Sequence, residues 1–217
     1  MNTKSFVLLL TAGLLAAVSA PAGIDWDQTF TPANGTIPAG NLVGQPFTGD
    51  VTAAPAGTLV DGLEVSLNLS GGYNGDLYAY LVSPGGTTTD VLLNQPGVAI
   101  NGFGASGSGI NIILADNSPN GSIQNVTSSS PLSGSYRPAS PLSAFDGGPA
   151  NGIWTLYFAD LGSGGGDPTL NSWSVGVTVV PEAETPALYR LFDIISICSV
   201  IGWLARRRKN LPTTIPI

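Results

Sequence analysis

The 217-residue chain contains no histidine, a single cysteine, and only seven lysines and arginines. Without histidine there can be no Ser-His-Asp triad, no Cys-His pair and no histidine-ligated zinc site. The lone cysteine, Cys198, lies in an apolar stretch near the C-terminus, so no intrachain disulfide can form and cysteine usage does not report the redox compartment. Bases are absent from most of the chain: between Gly23 and Ala187 Arg137 stands alone against thirteen acids, a net charge of minus twelve. A field of that sign repels nucleic acid and anionic membranes. It also repels acidic polysaccharide unless a divalent cation bridges the two, which makes calcium a physically sensible partner. For any single carboxylate the alternative role is to keep an exported chain solvated.

Glycine (29 residues) and proline (17) are too frequent for long helices, and aromatic and β-branched residues fall in short runs between them. A chain of this length accommodates one ordinary domain plus processing segments. Residues 1–22 read as a signal peptide, with Lys4 as the positive n-region, Phe6 to Val18 as the apolar h-region and small residues following. Cleavage is expected after Ala22, because a cut after Ala20 would leave Pro21 at the new terminus. The alternative, an N-terminal membrane span, needs a longer apolar run of roughly 20 residues.

At the other end, Val180, Pro181, Glu182 and Ala183 open a linker (181–187) to a mostly apolar segment, Leu188 to Ala205, followed by Arg206, Arg207, Arg208 and Lys209. That order reads as a transmembrane helix (188–205) stopped by a basic cytoplasmic tail (206–217), with everything upstream outside the inner membrane. It resembles the PEP-CTERM sorting signal of Gram-negative bacteria. The resemblance implies an exosortase-like processing enzyme as partner, transient anchoring in the inner membrane, and delivery to the cell surface or extracellular matrix, often alongside exopolysaccharide. Ala183 stands where the family pattern has its second proline, Arg190 and Asp193 interrupt the apolar stretch, and 211–217 extend past the basic cluster. Two other readings of the segment stay open: an anchor that is never processed, and a soluble amphipathic helix.

Between the ends, apolar residues alternate. Leu63, Val65, Leu67 and Leu69 share one face, with Glu64, Ser66 and Asn68 on the other, as a half-buried strand requires. Leu77 to Val82 suits a strand covered on both faces, and Ser83-Pro84-Gly85-Gly86 a turn. Further strands are expected at Thr88 to Leu93, Ile110 to Leu114, Gly152 to Ala159 and Ser172 to Val180. No helical period appears. The expectation is all-β: a two-sheet β-sandwich or jelly roll burying Trp154 and Trp173. Those tryptophans alternate with Leu156, Phe158, Val175 and Val177, which favours the core over an alternative role as sugar-stacking surfaces.

Several blocks in this region resemble the proprotein convertase P-domain: Asp61-Gly62-Leu63-Glu64-Val65-Ser66-Leu67, then Gly75-Asp76-Leu77 through Ser83-Pro84-Gly85-Gly86-Thr87. Gly134-Ser135-Tyr136-Arg137-Pro138, Leu142-Ser143-Ala144-Phe145, Gly152-Ile153-Trp154-Thr155-Leu156 with Asp160, and Leu170 to Val175 continue the likeness in order. The resemblance implies a sandwich of about eight strands over 58–180, with 23–57 adding a lead-in and an edge strand. In proteases of the family this domain follows a subtilisin-like catalytic domain and stabilises it. Residues 23–57 are far too few for a protease fold, so no enzyme is expected here. Carboxylate chemistry of the glycosidase kind survives on composition alone, since it needs only two acids suitably apart.

The candidate calcium ligands are Asp76, Asp116, Asp160 and Asp167. Asp76 is read either as a tie holding a loop through backbone hydrogen bonds or as a ligand. Asp160 and Asp167 flank Gly162-Ser163-Gly164-Gly165-Gly166, which is either a cation loop or a plain hairpin connection; its spacing is not that of an EF-hand, and it lacks the lysine and helix of a phosphate loop. Two functions remain: an exported non-catalytic surface or matrix protein for adhesion or exopolysaccharide association, and a calcium-assisted carbohydrate-binding or accessory module of a separate extracellular enzyme.

Overall fold

The computed structural model describes residues 25–178. The expected signal segment, sorting motif, apolar helix and basic tail lie outside the described residues, and among those described no helix is long and apolar enough to cross a membrane.

The strands are β1 (Trp26–Phe30), β2 (Gln45–Val51), β3 (Gly62–Ser70), β4 (Leu77–Val82), β5 (Thr89–Asn94), β6 (Ile110–Leu114), β7 (Leu132–Tyr136), β8 (Gly152–Asp160) and β9 (Thr169–Thr178). One helical turn, α1 (Val98–Asn101), and several 3-10 turns sit in the connections. Five strands form one sheet in the order β1-β9-β3-β6-β7, and four form the other in the order β2-β8-β4-β5. All neighbours are antiparallel except β6 and β7. A parallel pair cannot be joined by a tight turn, and residues 115–131 make the crossover.

The expected alternation places the core. In β3, Leu63, Val65, Leu67 and Leu69 are buried while Glu64, Ser66 and Asn68 face outward. Opposite them, β8 contributes Trp154, Leu156 and Phe158 and β4 contributes Leu77, Ala79 and Leu81, all buried. Trp154 and Trp173 are both enclosed, Trp154 meeting Phe145 edge-on with ring centroids 5.4 Å apart. The Trp154 indole N–H donates to the Ala150 carbonyl at 3.0 Å. Aliphatic and aromatic burial of this kind, at about 25 cal/mol per Å² of apolar surface, drives the two sheets together.

Three expectations need correction. The lead-in supplies two edge strands rather than one: β1 pairs with β9 in one sheet and β2 with β8 in the other. Residues 31–44 carry the chain from one sheet to the other, and Phe30 lies against Trp173, its register partner on β9, with ring centroids 4.7 Å apart and planes tilted by 42°. Second, β4 is not covered on both faces. Tyr78, Tyr80 and Val82 are half-buried on the outer face of the four-stranded sheet, where Tyr80 stacks on Tyr157 and Tyr78 lies beside it. Third, the glycine-rich segment after Asp160 is not a hairpin, because β8 and β9 belong to different sheets and the segment has to carry the chain from one to the other.

Candidate functional site

The four aspartates singled out above fall into two neighbourhoods. Asp116 lies just past β6, and its two carboxylate oxygens accept hydrogen bonds from the Leu142 and Ser143 main-chain N–H groups at 2.8 and 2.9 Å. These are the free donors at the start of the 3-10 turn that carries Phe145 into the core, so Asp116 acts as a cap. It also lines an open cleft of about 370 Å³ with Asp61, Glu64, Asn117, Ser143 and Asp146. Burial first, then the nearby Asp61 and Asp116 charges, raise the Asp146 pKa; burial first, then Asp27, raise that of Glu64. Asp61, Glu64 and Asp146 are acids that the sequence reading assigned to no site. The signal for Glu64 was its outward position in the β3 alternation, but nothing local announced that 143–146 would fold back beside it.

The other three meet at one end of the sandwich. Asp76 closes the 3-10 turn leading into β4, Asp160 ends β8, and Asp167 precedes β9. The antiparallel pairing of Leu77 with Asp160 brings the first two together. The Leu161 N–H donates to the Asp76 main-chain carbonyl at 2.9 Å, so the tie expected of Asp76 runs through its backbone. Asp160 has no solvent-accessible surface. Its Oδ1 accepts from the Gly162 N–H at 3.1 Å, while Oδ2 is buried without a hydrogen-bond partner. Burial, followed by the Asp76 and Asp167 charges, raises its pKa against the lowering effect of the Gly162 bond. Asp167 accepts from the Ala39 N–H at 2.9 Å, and Ala39 itself bridges to Asp160. Among the described residues, no three acidic side chains converge closely enough to hold a metal ion unaided.

A third feature escaped the sequence reading. Tyr80 and Tyr157 stack across β4 and β8 with centroids 4.7 Å apart and planes within 6°, and Tyr78 lies 6.1 Å from Tyr80. Leu42 and Val43, respectively 74% and 85% exposed, stand beside them. The stacked pair needs Tyr80 opposite Tyr157, a register that neither strand reveals alone.

Residues 60–177, more than half of the chain, match the proprotein convertase P-domain family. The chain belongs to that family. In proteases of this family the P-domain is a non-catalytic accessory fold. The matched span runs from just before β3 to β9, so the family pattern covers seven strands and β1 and β2 lie ahead of it. Among solved structures, the P-domain chain is similar to the crystal structure of a serine protease of Aeromonas sobria, at 19% identity and a TM-score of 0.43. It is also similar to that serine protease in complex with its chaperone ORF2, at 18% identity and a TM-score of 0.44. Each match covers 71% of this chain and 26% of the other, so the chain spans about a quarter of the length of the protease. No curated protein matches it.

Proposed function

We propose that the protein is an exported, non-catalytic P-domain sandwich that works at the bacterial surface or in the extracellular matrix, in adhesion or in association with exopolysaccharide. The observation that carries this reading is the combination of a family fold that serves as an accessory module in proteases with a side-chain inventory that has no histidine for a Ser-His-Asp triad or a Cys-His pair. Residues 1–22 and the motif at Val180, Pro181, Glu182 and Ala183 support export and sorting, with Arg206, Arg207, Arg208 and Lys209 as the stop. An exosortase-like enzyme is the processing partner in this reading, and nucleic acid is not a partner, because eleven acids against one base between residues 25 and 178 repel it.

The test is mass spectrometry of the mature chain from hosts with and without an exosortase. Loss of the segment beyond about Pro181 only when the enzyme is present supports sorting; an identical mass in both hosts rejects it.

The second reading, a carbohydrate-binding accessory module of a separate enzyme, is favoured by the tyrosine strip of the four-stranded sheet with Leu42 and Val43 at its end. Aromatic side chains combine apolar area with a polar tip, which suits contact with sugar rings. Calorimetry against a panel of neutral and acidic glycans separates the two: saturable binding lost in Tyr157→Ala supports the module, and silence across the panel supports the first reading.

A further inference from the structure

Asparagine followed by glycine is a labile pair, because the glycine main-chain nitrogen, with no Cβ beside it, closes readily on the asparagine side-chain carbonyl carbon. The chain has five such pairs: Asn34-Gly35, Asn74-Gly75, Asn101-Gly102, Asn120-Gly121 and Asn151-Gly152. The reaction needs a side-chain amide free to turn and a glycine free to approach it.

In all but one of the pairs the fold withholds these freedoms. Asn74 is fully buried, and the Gly75 N–H donates to the Ala105 carbonyl at 2.9 Å. The Asn101 side chain accepts from the Phe103 and Gly104 N–H groups and donates to the Gly104 carbonyl, while the Gly102 N–H donates to the Val98 carbonyl at 2.8 Å. Asn151 donates to the Ala54 and Pro55 carbonyls, and Gly152 is held opposite Val51 in β8. Asn34 accepts from the Thr36 N–H, and Gly35 is buried against the Leu170 main chain, whose N–H its carbonyl accepts at 2.8 Å.

Asn120-Gly121 has none of these restraints. Pro119 and Asn120 form an exposed turn in the crossover from β6 to β7. The Asn120 side-chain amide and the Gly121 N–H have no hydrogen-bond partner among the described residues. A Cβ on Gly121 would meet nothing, so the ring has room to form. Only the Gly121 carbonyl is engaged, accepting from the Arg137 N–H at 2.7 Å.

We propose that Asn120 is a modification site, converted without an enzyme to aspartate and isoaspartate. The Gly121 nitrogen bonds to the Asn120 side-chain carbonyl carbon to make a succinimide; the bond from that carbon to the amide nitrogen breaks, and ammonia leaves with the Gly121 proton. Water then opens the ring. Attack at the side-chain carbonyl gives aspartate, and attack at the main-chain carbonyl gives isoaspartate. Either product adds one negative charge to the turn. Isoaspartate also adds a carbon to the main chain just ahead of the Gly121 carbonyl, which loosens the hold of the crossover on Arg137.

The experiment incubates the full chain at mildly alkaline pH, folded and in urea, and follows the five pairs by peptide mapping that resolves asparagine, aspartate and isoaspartate. In the folded chain Asn120 should convert at least about tenfold faster than any other pair, since the others must first open a hydrogen bond or a buried contact. In urea that precedence should vanish, because every pair then has the same freedom. Asn120→Gln, whose longer side chain closes a less favourable ring, should lose the rapid gain of negative charge seen by ion exchange. The isoaspartate form, separated from the rest, should melt roughly 2–4 °C below the unconverted chain, the loss of about one hydrogen bond. Conversion at Asn120 no faster than at the other pairs overturns the proposal, as does a precedence that persists in urea or a charge gain undiminished in Asn120→Gln. An unchanged midpoint in the isoaspartate form overturns the loosening of the crossover.

Discussion

Asp116 shows how one residue type can serve unrelated ends. Its carboxylate holds two main-chain donors at the turn that seats Phe145 against Trp154. Asp116→Ala should therefore lower stability by about 1–2 kcal/mol in urea denaturation, the usual cost of losing a cap. Trp154 is bound both by packing and by its bond to Ala150. Trp154→Phe should cost about 2–4 kcal/mol by the same measurement, from the void left behind and the buried carbonyl left unpaired. The place of Trp154 in the core was legible from its alternation with Leu156 and Phe158. The role of Asp116 was not, because its partners are 26 and 27 residues away and a main-chain N–H has no signature in sequence.

At the level of elements, aliphatic alternation found β3, β4, β5, β6, β8 and β9, and missed those strands whose burial is shared with a neighbour. Strand β7 carries one buried residue, Leu132, and gains its place from parallel pairing with β6. In β1, Trp26 and Phe30 are only half-buried, and Phe30 finds its partner in Trp173, directly opposite it on β9. There β2 passes so closely that a Cβ on Gly49 would lie 2.5 Å from the Phe30 ring. Gly49→Val should destabilise by about 1–3 kcal/mol, because the ring must shift or the two strands must part. Thr48→Val, one position along on the exposed face, should stay within about 0.5 kcal/mol of the unaltered chain, and paired denaturation curves check the contrast.

Over the whole molecule, charge of one sign meets a sandwich with few bases, and the carboxylates respond together. Burial raises the pKa values of Glu64, Asp90 and Asp146 above their ordinary 4.5 and 3.8. A carboxylate with a raised native value binds its proton more readily folded than unfolded, so stability grows as pH falls through that raised value and the gain is complete below the ordinary one. In calcium-free buffer the thermal midpoint should therefore be higher near pH 4.5 than at pH 7, and moderate salt at pH 7 should narrow the gap by screening the repulsion. A midpoint that falls steadily from pH 7 downwards would contradict it. The amino-acid order alone determined the β-sandwich, its buried tryptophans, most of its strands and its anionic character, since alternation and composition act through neighbours in the chain. Only the tertiary structure decided which aspartates lie near one another. Asp76 and Asp160 are brought together by the register of β4 on β8, and Asp116 is drawn away to cap a distant turn, because pairing between strands is settled by contacts that no local pattern encodes.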